Sequence, residues 1–315
     1  MRDVLRRLVA GELSEDEALF ELRRVQLDEL GGRAHLDLGR YLRRGIPEVV
    51  LAAGKSPADA ARLAVAMAEQ HGQGLISRMA DTHRDALAAA AGDMRVVSYH
   101  SSARVLRDGF APEKLEARVG VLTAGTSDVP VADEARMVVE ASGLDARIDA
   151  DLGVAGLHRF VQPLAAMLEW GADVIIVAAG MDGMLPGLVA GLVDVPVIGL
   201  PVSTGYGRGG AGKAALSTML QSCSTGLVVV NIDNGVGAGA AAALIASRVA
   251  QGRRRGRSTA TTASTIPPTR TSPNRAAAKT RDASTPPGSA KIAPSNTIAT
   301  TTARSSQGNP RRRRP

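Results

Sequence analysis

From Arg118 onward, short runs of consecutive apolar residues alternate with stretches whose apolar positions recur every three or four residues, and the rhythm repeats five times. The runs predict strands at Val119–Thr123, Asp145–Asp149, Asp173–Ala178, Val197–Val202 and Leu227–Ile232. The spaced positions predict helices near Val131–Ala141, Leu157–Trp170, Leu185–Val193, Gly212–Leu220 and Ala238–Val249. Unbroken apolar strands such as Val174-Ile175-Ile176-Val177 suit a parallel sheet covered on both faces. Three-layer α/β architecture is therefore expected over residues 116–250. Ahead of it, residues 1–115 read as a smaller, mostly helical domain. There Val4, Leu5 and Leu8 share a face, Ser14 and Glu17 form a capping box, and Ala60, Leu63, Ala64 and Met67 are helically spaced. Only short strands are expected in this region, at Glu48–Leu51 and Arg95–Tyr99.

Composition separates a third segment. From Gln251 to Pro315 the chain is rich in Ser, Thr, Ala, Pro and Arg and nearly lacks large apolar residues, so burial cannot offset its ordering entropy and disorder is expected. The tail holds 14 of the 38 basic residues and one of the 31 acidic ones, so the body carries 24 against 30, a net charge of −6. A folded nucleic-acid binder should carry its basic residues on the folded part, so that class is disfavoured. The arginine runs 253–255 and 311–314 could hold phosphates only in a salt-dependent way. No segment is both long and uncharged enough to cross a bilayer, and the first residues lack the apolar stretch of a secretory signal. A cytoplasmic protein is expected.

In open parallel sheets, ligands bind beyond the carboxyl ends of the strands. Three loops rich in small residues are predicted there. Gly125, Thr126, Ser127 and Asp128 follow the first strand and precede Pro130, where helix-start amides favour an anion; the alternative is a tight capped turn. After the third strand come Gly180, Met181, Asp182 and Gly183, and after the fourth come Ser203, Thr204, Gly205 and Tyr206. Tyr206 could stack on a ring or simply pack. Tyr99-His100 could reach the site from the front domain or be structural.

Other motifs fall away. Gly54-Lys55-Ser56 resembles the end of a P-loop, but Val49 stands where the first glycine belongs. The Gly205–Gly210 stretch follows the fourth strand instead of opening the fold, which weakens it as a dinucleotide fingerprint. The five histidines lack metal-ligand spacing, and Gly-x-Ser-x-Gly is absent. Cys223 is the single cysteine of the 315 residues, so it is either a small buried hydrophobe or a reactive thiol.

Over residues of about 30 to 250 the chain resembles a known superfamily. Gly125-Thr126-Ser127-Asp128-Val129-Pro130, His158-Arg159, Leu185-Pro186-Gly187 and the run Pro196–Val202 resemble the aminoimidazole-ribonucleotide carboxylase fold, which is flavodoxin-like. Ser203–Gly207, Ser222-Cys223 and Val229–Gly235 resemble its LarB type, the carboxylases of nickel-pincer cofactor biosynthesis. So do Leu36-Asp37, Arg40, Arg43, Gly45, Pro47–Val50 and Gly54-Lys55 in the front region. Two positions depart from the patterns. Purine carboxylases have a histidine before Leu-Pro-Gly where this chain has Met184, which cannot transfer a proton. The LarB type usually has glutamate where Asp182 stands, one methylene shorter.

The resemblance implies nicotinic acid adenine dinucleotide as substrate, with carbon dioxide or bicarbonate as co-substrate, C5 carboxylation of the pyridinium ring, and phosphoanhydride hydrolysis releasing AMP. Cys223 would add to the ring, Asp182 would help remove the C5 proton, and Ser127, Asp128 and nearby amides would hold phosphate or ribose with Arg159 as an anion partner. Magnesium at the diphosphate fits the substrate, although no ligand set is legible. Because Cys223 follows a helix and precedes a strand, it should lie at the amino edge of its own sheet. An oligomer, as in the octameric related carboxylases, would bring it to another subunit's loops. Two alternatives stay open: an aminoimidazole-ribonucleotide carboxylase or mutase, and a nucleotide-binding or tail-driven nucleic-acid-binding protein in which Cys223 is inert.

Overall fold

The computed structural model describes residues 2–18, 27–29, 35–37 and 46–264. Eleven strands and eight α-helices are assigned among them. The carboxyl-terminal half contains β7 (Arg118–Thr123), β8 (Asp145–Asp149), β9 (Val174–Ala179), β10 (Val197–Pro201) and β11 (Leu227–Val229). All neighbouring pairs are parallel, in the order β11-β10-β9-β7-β8. The expected three-layer parallel fold is present. Order reverses between β7 and β9, which opens a crevice beyond their carboxyl ends.

Strand β9 shows why an unbroken apolar run was needed. Val174, Ile176 and Ala178 pack on one face with α4 (Val129–Ala141) and α8 (Gly235–Ser264). Ile175, Val177 and Ala179 pack on the other with α5 (His158–Glu169), α6 (Leu185–Ala190) and α7 (Lys213–Leu220). Full burial of a Val or Ile side chain contributes about 1.5–3 kcal/mol, so both faces stabilise the strand. Helices α4 and α8 approach closely because α8 presents small residues: a Cβ at Gly239 would come within 3.0 Å of Ala135 Cα.

The front region is helical as expected, with α1 (Arg2–Val9), α2 (Pro57–His71) and α3 (Asp81–Ala91), but it also has more sheet than its sequence suggested. Strands β3 (Val49–Leu51), β4 (Gln73–Ser77), β5 (Arg95–Tyr99) and β6 (Ser102–Leu106) form a mixed sheet in the order β3-β4-β6-β5. The short pair β1 (Leu27–Glu29) and β2 (His35–Asp37) is antiparallel. Alternation along β4 sends Ile76 to the core under α2 and α3, and Leu75 to the core shared with α4. The front sheet is thereby packed against the same helix that covers β7 and β9. At the chain's start, the Ser14 hydroxyl accepts from the Glu17 amide at 3.2 Å while Glu17 Oε2 accepts from the Ser14 amide at 2.8 Å, the expected capping box.

Among the boundaries that differ from the sequence reading, two matter most for the site and the tail. Strand β11 ends at Val229, and Val230–Ile232 lead into a turn whose Asp233 amide donates to the Pro201 carbonyl at 2.9 Å. Helix α8 continues through Ser264, so the compositional break at Gln251 is not a structural one. Arg253 explains the extension: it pairs with Asp173 at 2.5 Å and also donates to the Glu116 carbonyl at 3.0 Å, while Arg254 pairs with Glu113 at 3.0 Å. The rest of the expected disordered tail, 265–315, lies outside the described residues, as do Arg40, Arg43 and Gly45. Among the described residues no helix is long and apolar enough to cross a membrane.

Candidate active site

The three loops predicted beyond β7, β9 and β10 meet at the switch point. After β7, the chain makes one tight turn at Thr126–Asp128 before α4 begins. Thr123 donates its hydroxyl to the Gly125 carbonyl at 2.9 Å, and the Gly125 amide donates to Asp128 Oδ2 at 2.9 Å. Asp128 Oδ1 accepts from the Thr204 hydroxyl at 2.6 Å. Expected to touch phosphate or ribose, Asp128 is instead turned inward and almost fully buried, tying two loops together, while Thr126 and Ser127 remain exposed. Burial pushes the Asp128 carboxyl above its ordinary range, opposed by the Thr204 hydroxyl and the Gly125 and Gly180 amides and reinforced by the charge of Asp233.

After β9, Gly180 lies against this tie. A side chain there would collide with the Thr204 carbonyl and hydroxyl oxygens and come within 3.2 Å of Asp128 Oδ1. The Met181 amide donates to the Thr204 carbonyl at 3.0 Å. Asp182 is exposed, with Oδ1 accepting from the Met184 amide at 3.1 Å ahead of α6. Gly183 follows with φ +71°, where a Cβ would come 2.6 Å from the Ala215 backbone. The glycine thus allows both the left-handed turn and the close passage of α7.

Beyond β10, the Ser203 amide donates to Asp233 Oδ1 at 2.8 Å, Gly205 packs on the Met181 backbone, and Tyr206 is 81% exposed above the rim. Arg159 stands on the same edge beyond β8, 3.6 Å from Asp151, with both side chains exposed. Its loop touches the first: the Leu152 amide donates to the Thr123 carbonyl at 3.0 Å.

Cys223 lies elsewhere, as its position between α7 and β11 required. Its loop enters β11 at the amino edge, where the Val197 amide donates to the Gly226 carbonyl at 3.1 Å. Asp182, by contrast, follows the carboxyl end of β9. The loop is pinned to α6, since Ser224 Oγ donates to the Gly187 carbonyl at 2.7 Å, while the Ser224 amide donates to Ser222 Oγ at 3.2 Å within the turn. The thiol is free and exposed. Leu192, Leu220 and Val228 around this edge are also open, at 62%, 64% and 52% exposure.

Three neighbours were not among the residues expected here. Asp233 is the acceptor that holds Ser203, Glu134 accepts from the Val236 amide at 3.2 Å, and Arg78 reaches both from the front region. Burial pushes Glu134 upward, opposed first by the Ser77 hydroxyl and then by Arg78 and the Val236 and Gly235 amides. His100, a candidate from the front domain, binds buried Asp133 on α4, whose other oxygen pairs with Arg136 at 2.7 Å. The preceding Tyr99 is buried and donates to Glu140 at 2.5 Å; burial, then Glu140, pushes its hydroxyl up to about 12. No group of three or more His, Cys, Asp or Glu suited to a metal ion occurs among the described residues.

Comparison with known proteins matches residues 118–261 to the AIR carboxylase family and residues 27–108 to the LarB/PurE-like N-terminal domain. An uncharacterized protein of Methanocaldococcus jannaschii is 38% identical over 250 residues, which cover 78% of this chain and 96% of that protein. The N5-carboxyaminoimidazole ribonucleotide mutase of Thermotoga maritima is 37% identical over 87 residues, 28% of this chain, and that of Pyrococcus abyssi is 36% identical over 91 residues, also 28%. The matched stretch spans about half of each mutase, at 51% and 50%. A crystal structure of a Treponema denticola PurE2 variant is similar at TM-score 0.33 and 18% identity, covering 48% of this chain and 98% of that one.

Proposed function

Because the chain belongs to the LarB-like family, in which a LarB/PurE-like N-terminal domain precedes an AIR carboxylase domain, we propose that it carboxylates the pyridinium ring of nicotinic acid adenine dinucleotide at C5 and hydrolyses the phosphoanhydride, releasing AMP. An AIR-carboxylase-related enzyme is the broader statement that the family supports. The observation that carries the finer reading is the exposure of Cys223. Free cysteines kept for packing are among the most buried residues, so an open, unpaired thiol calls for another role.

Chemistry gives it one. A pyridinium carbon is electron-poor and cannot attack carbon dioxide. Addition of the Cys223 thiolate to the ring forms a C–S bond and converts N1–C6–C5 to an enamine, whose C5 is nucleophilic. C5 then bonds to carbon dioxide, the C5 proton leaves to Asp182, and the C–S pair returns to sulfur as aromaticity is restored. Covalent catalysis of this kind replaces one difficult step with two easier ones. Hydrolysis adds water across the phosphoanhydride, giving the mononucleotide and AMP.

In one chain Cys223 and Asp182 occupy opposite edges of the sheet, so the reading includes a homo-oligomer in which each site takes Cys223 from a neighbour. Leu192, Leu220 and Val228, exposed beside Cys223, supply the apolar surface such a contact needs. Mutase or carboxylase action on an aminoimidazole ribonucleotide is the second reading, favoured by the named relatives and opposed by Met184, which offers no proton where a histidine would.

Mass spectrometry after incubation with nicotinic acid adenine dinucleotide and bicarbonate decides between them. The proposal expects AMP and a doubly carboxylated pyridinium mononucleotide, both lost in Cys223→Ser. Conversion of aminoimidazole ribonucleotide would establish the second reading instead. Mixing inactive Cys223→Ser with inactive Asp182→Asn should restore part of the activity through hybrid sites, and no recovery after verified subunit exchange would exclude sharing.

A further inference from the structure

We propose that Arg78, a residue of the front region, is a positioning residue for the carboxyl-edge site, acting as a latch on the turn that holds the Ser203–Tyr206 loop. Arg78 follows β4 and has φ +55°; its partner Asp233 also has φ +55°. This conformation is disfavoured for residues with a Cβ and persists where surrounding contacts over-determine it. Here the contacts are visible. Arg78 Nη2 donates to the Asp233 carbonyl at 2.5 Å, and its Nε lies 3.8 Å from Glu134 Oε1.

Each partner is tied onward. Glu134 is buried on α4 and its other oxygen accepts the Val236 amide at the start of α8. The Asp233 side chain accepts the Ser203 amide, and its own amide binds Pro201 at the end of β10. Ser203 adjoins Thr204, which holds Asp128 through its hydroxyl and Met181 through its carbonyl. Met181 precedes Asp182. Arg78 is thus joined through Asp233 and Thr204 to both the β7 and β9 loops.

Arg78 is 46% exposed and its ion pair with Glu134 is long, so solvent screens the pair and global stability depends little on it. Its geometry matters more: one guanidinium addresses a carbonyl and a carboxylate at once, which an ammonium cannot reproduce. Glycine-rich neighbours at 205 and 207 leave the loop few other restraints. Only the catalytic part of this inference rests on the proposed reaction.

The test compares Arg78→Ala, Arg78→Lys and Arg78→Gly in the full chain. Hydrogen exchange of Arg78→Ala should quicken several-fold in peptides covering 202–208 and 231–236, with β4 and β6 protected as in wild type. Unchanged exchange in those two peptides overturns the latch, whatever the substrate proves to be. With nicotinic acid adenine dinucleotide, Arg78→Ala should lower kcat tenfold or more with a smaller change in KM. Arg78→Lys should remain impaired, and added guanidinium should partly restore Arg78→Gly. Faster exchange with unaltered kcat in all three variants would overturn the positioning role. If wild type does not turn over this dinucleotide, the proposed reaction fails while the exchange result still decides the latch.

Discussion

The Thr204 hydroxyl donates to Asp128 Oδ1 at 2.6 Å, joining the loop after β10 to the loop after β7 across the reversal of strand order. The two residues are 76 positions apart, and their bond fixes the floor of the crevice. Burial raises the folded-state value of Asp128 above its ordinary 3.8, so ionisation is easier in the unfolded chain. This group costs nothing below that value, and stability falls as pH rises through the raised one. Asp128→Asn does not titrate there but loses the Gly125 amide's acceptor. The Tm advantage of wild type over Asp128→Asn should be largest near pH 4 and shrink toward neutrality. Paired thermal melts across that range check it, and an advantage growing with pH would contradict the assignment.

Gly180 permits this bond by presenting no side chain to it. Gly180→Ala places a methyl group against the Thr204 carbonyl and hydroxyl, which cannot both retreat while the Met181 amide and Asp128 hold them. Overpacking of this kind costs about 1–3 kcal/mol. Denaturant titration should show a loss of that size, accompanied by a fall in turnover because Asp182 is two residues away. An unchanged midpoint would mean that the loops can part freely.

Why some of this was legible and some was not follows from what the buried faces demand. Strands β7, β8, β9 and β10 were found within a residue because sheet burial on two faces imposes apolar runs, and the small residues at their carboxyl ends marked the crevice. Strands β4 and β6 escaped notice because they bury polar groups. Gln73 donates to the Ala141 carbonyl at 2.8 Å, and Arg104 to Gln73 Oε1 at 3.0 Å, so paired side chains inside the fold look like surface residues in the sequence. Arg78 and Asp233 are 155 positions apart; Asp233 lies in the Val229–Gly235 motif, but Arg78 lies in none, so nothing in the sequence pairs them. The compositional change at Gln251 was misleading for a related reason: Arg253 and Arg254, typical of a solvated tail, have acidic partners on the folded body.

The shorter carboxylate at position 182 can be tested directly. Asp182 is exposed and bound only through the Met184 amide among the contacts described for it, which leaves room for a longer side chain. Asp182→Glu should keep turnover within about tenfold of wild type, since reach can be absorbed by the turn. Asp182→Asn removes the proton acceptor and should lower kcat by about 10²- to 10⁴-fold, the usual range for a general base. Steady-state kinetics on both variants separate reach from proton transfer; equal losses would remove Asp182 from the proton step.

Exposure of Cys223 predicts its behaviour toward alkylating agents. Iodoacetamide should modify it in the native protein without denaturant, giving a single added mass because no other cysteine exists. Modification should abolish turnover, and saturating nicotinic acid adenine dinucleotide should slow the labelling. Rapid labelling that leaves activity intact would assign the thiol no part in the reaction.

The last turns of α8 are held to the body of the fold by two arginines. Arg253 meets Asp173, whose side chain is only 8% exposed and also accepts the Arg118 amide at 2.9 Å, so removing the guanidinium leaves a buried carboxylate short of a partner. The exposed side of the pair limits the effect, because screening keeps such contacts near the weak end of the range. A chain ending after Arg257 should match the full chain in both Tm and turnover. Ending after Gly252, without Arg253 and Arg254, should cost about 1–2 kcal/mol and lower Tm by about 2–8 °C. Arg253→Ala in the full chain should reproduce most of that loss. If the shorter chain melts with the longer one, the extension of α8 contributes nothing to stability, and if the chain ending at Arg257 loses turnover, residues beyond it serve the reaction.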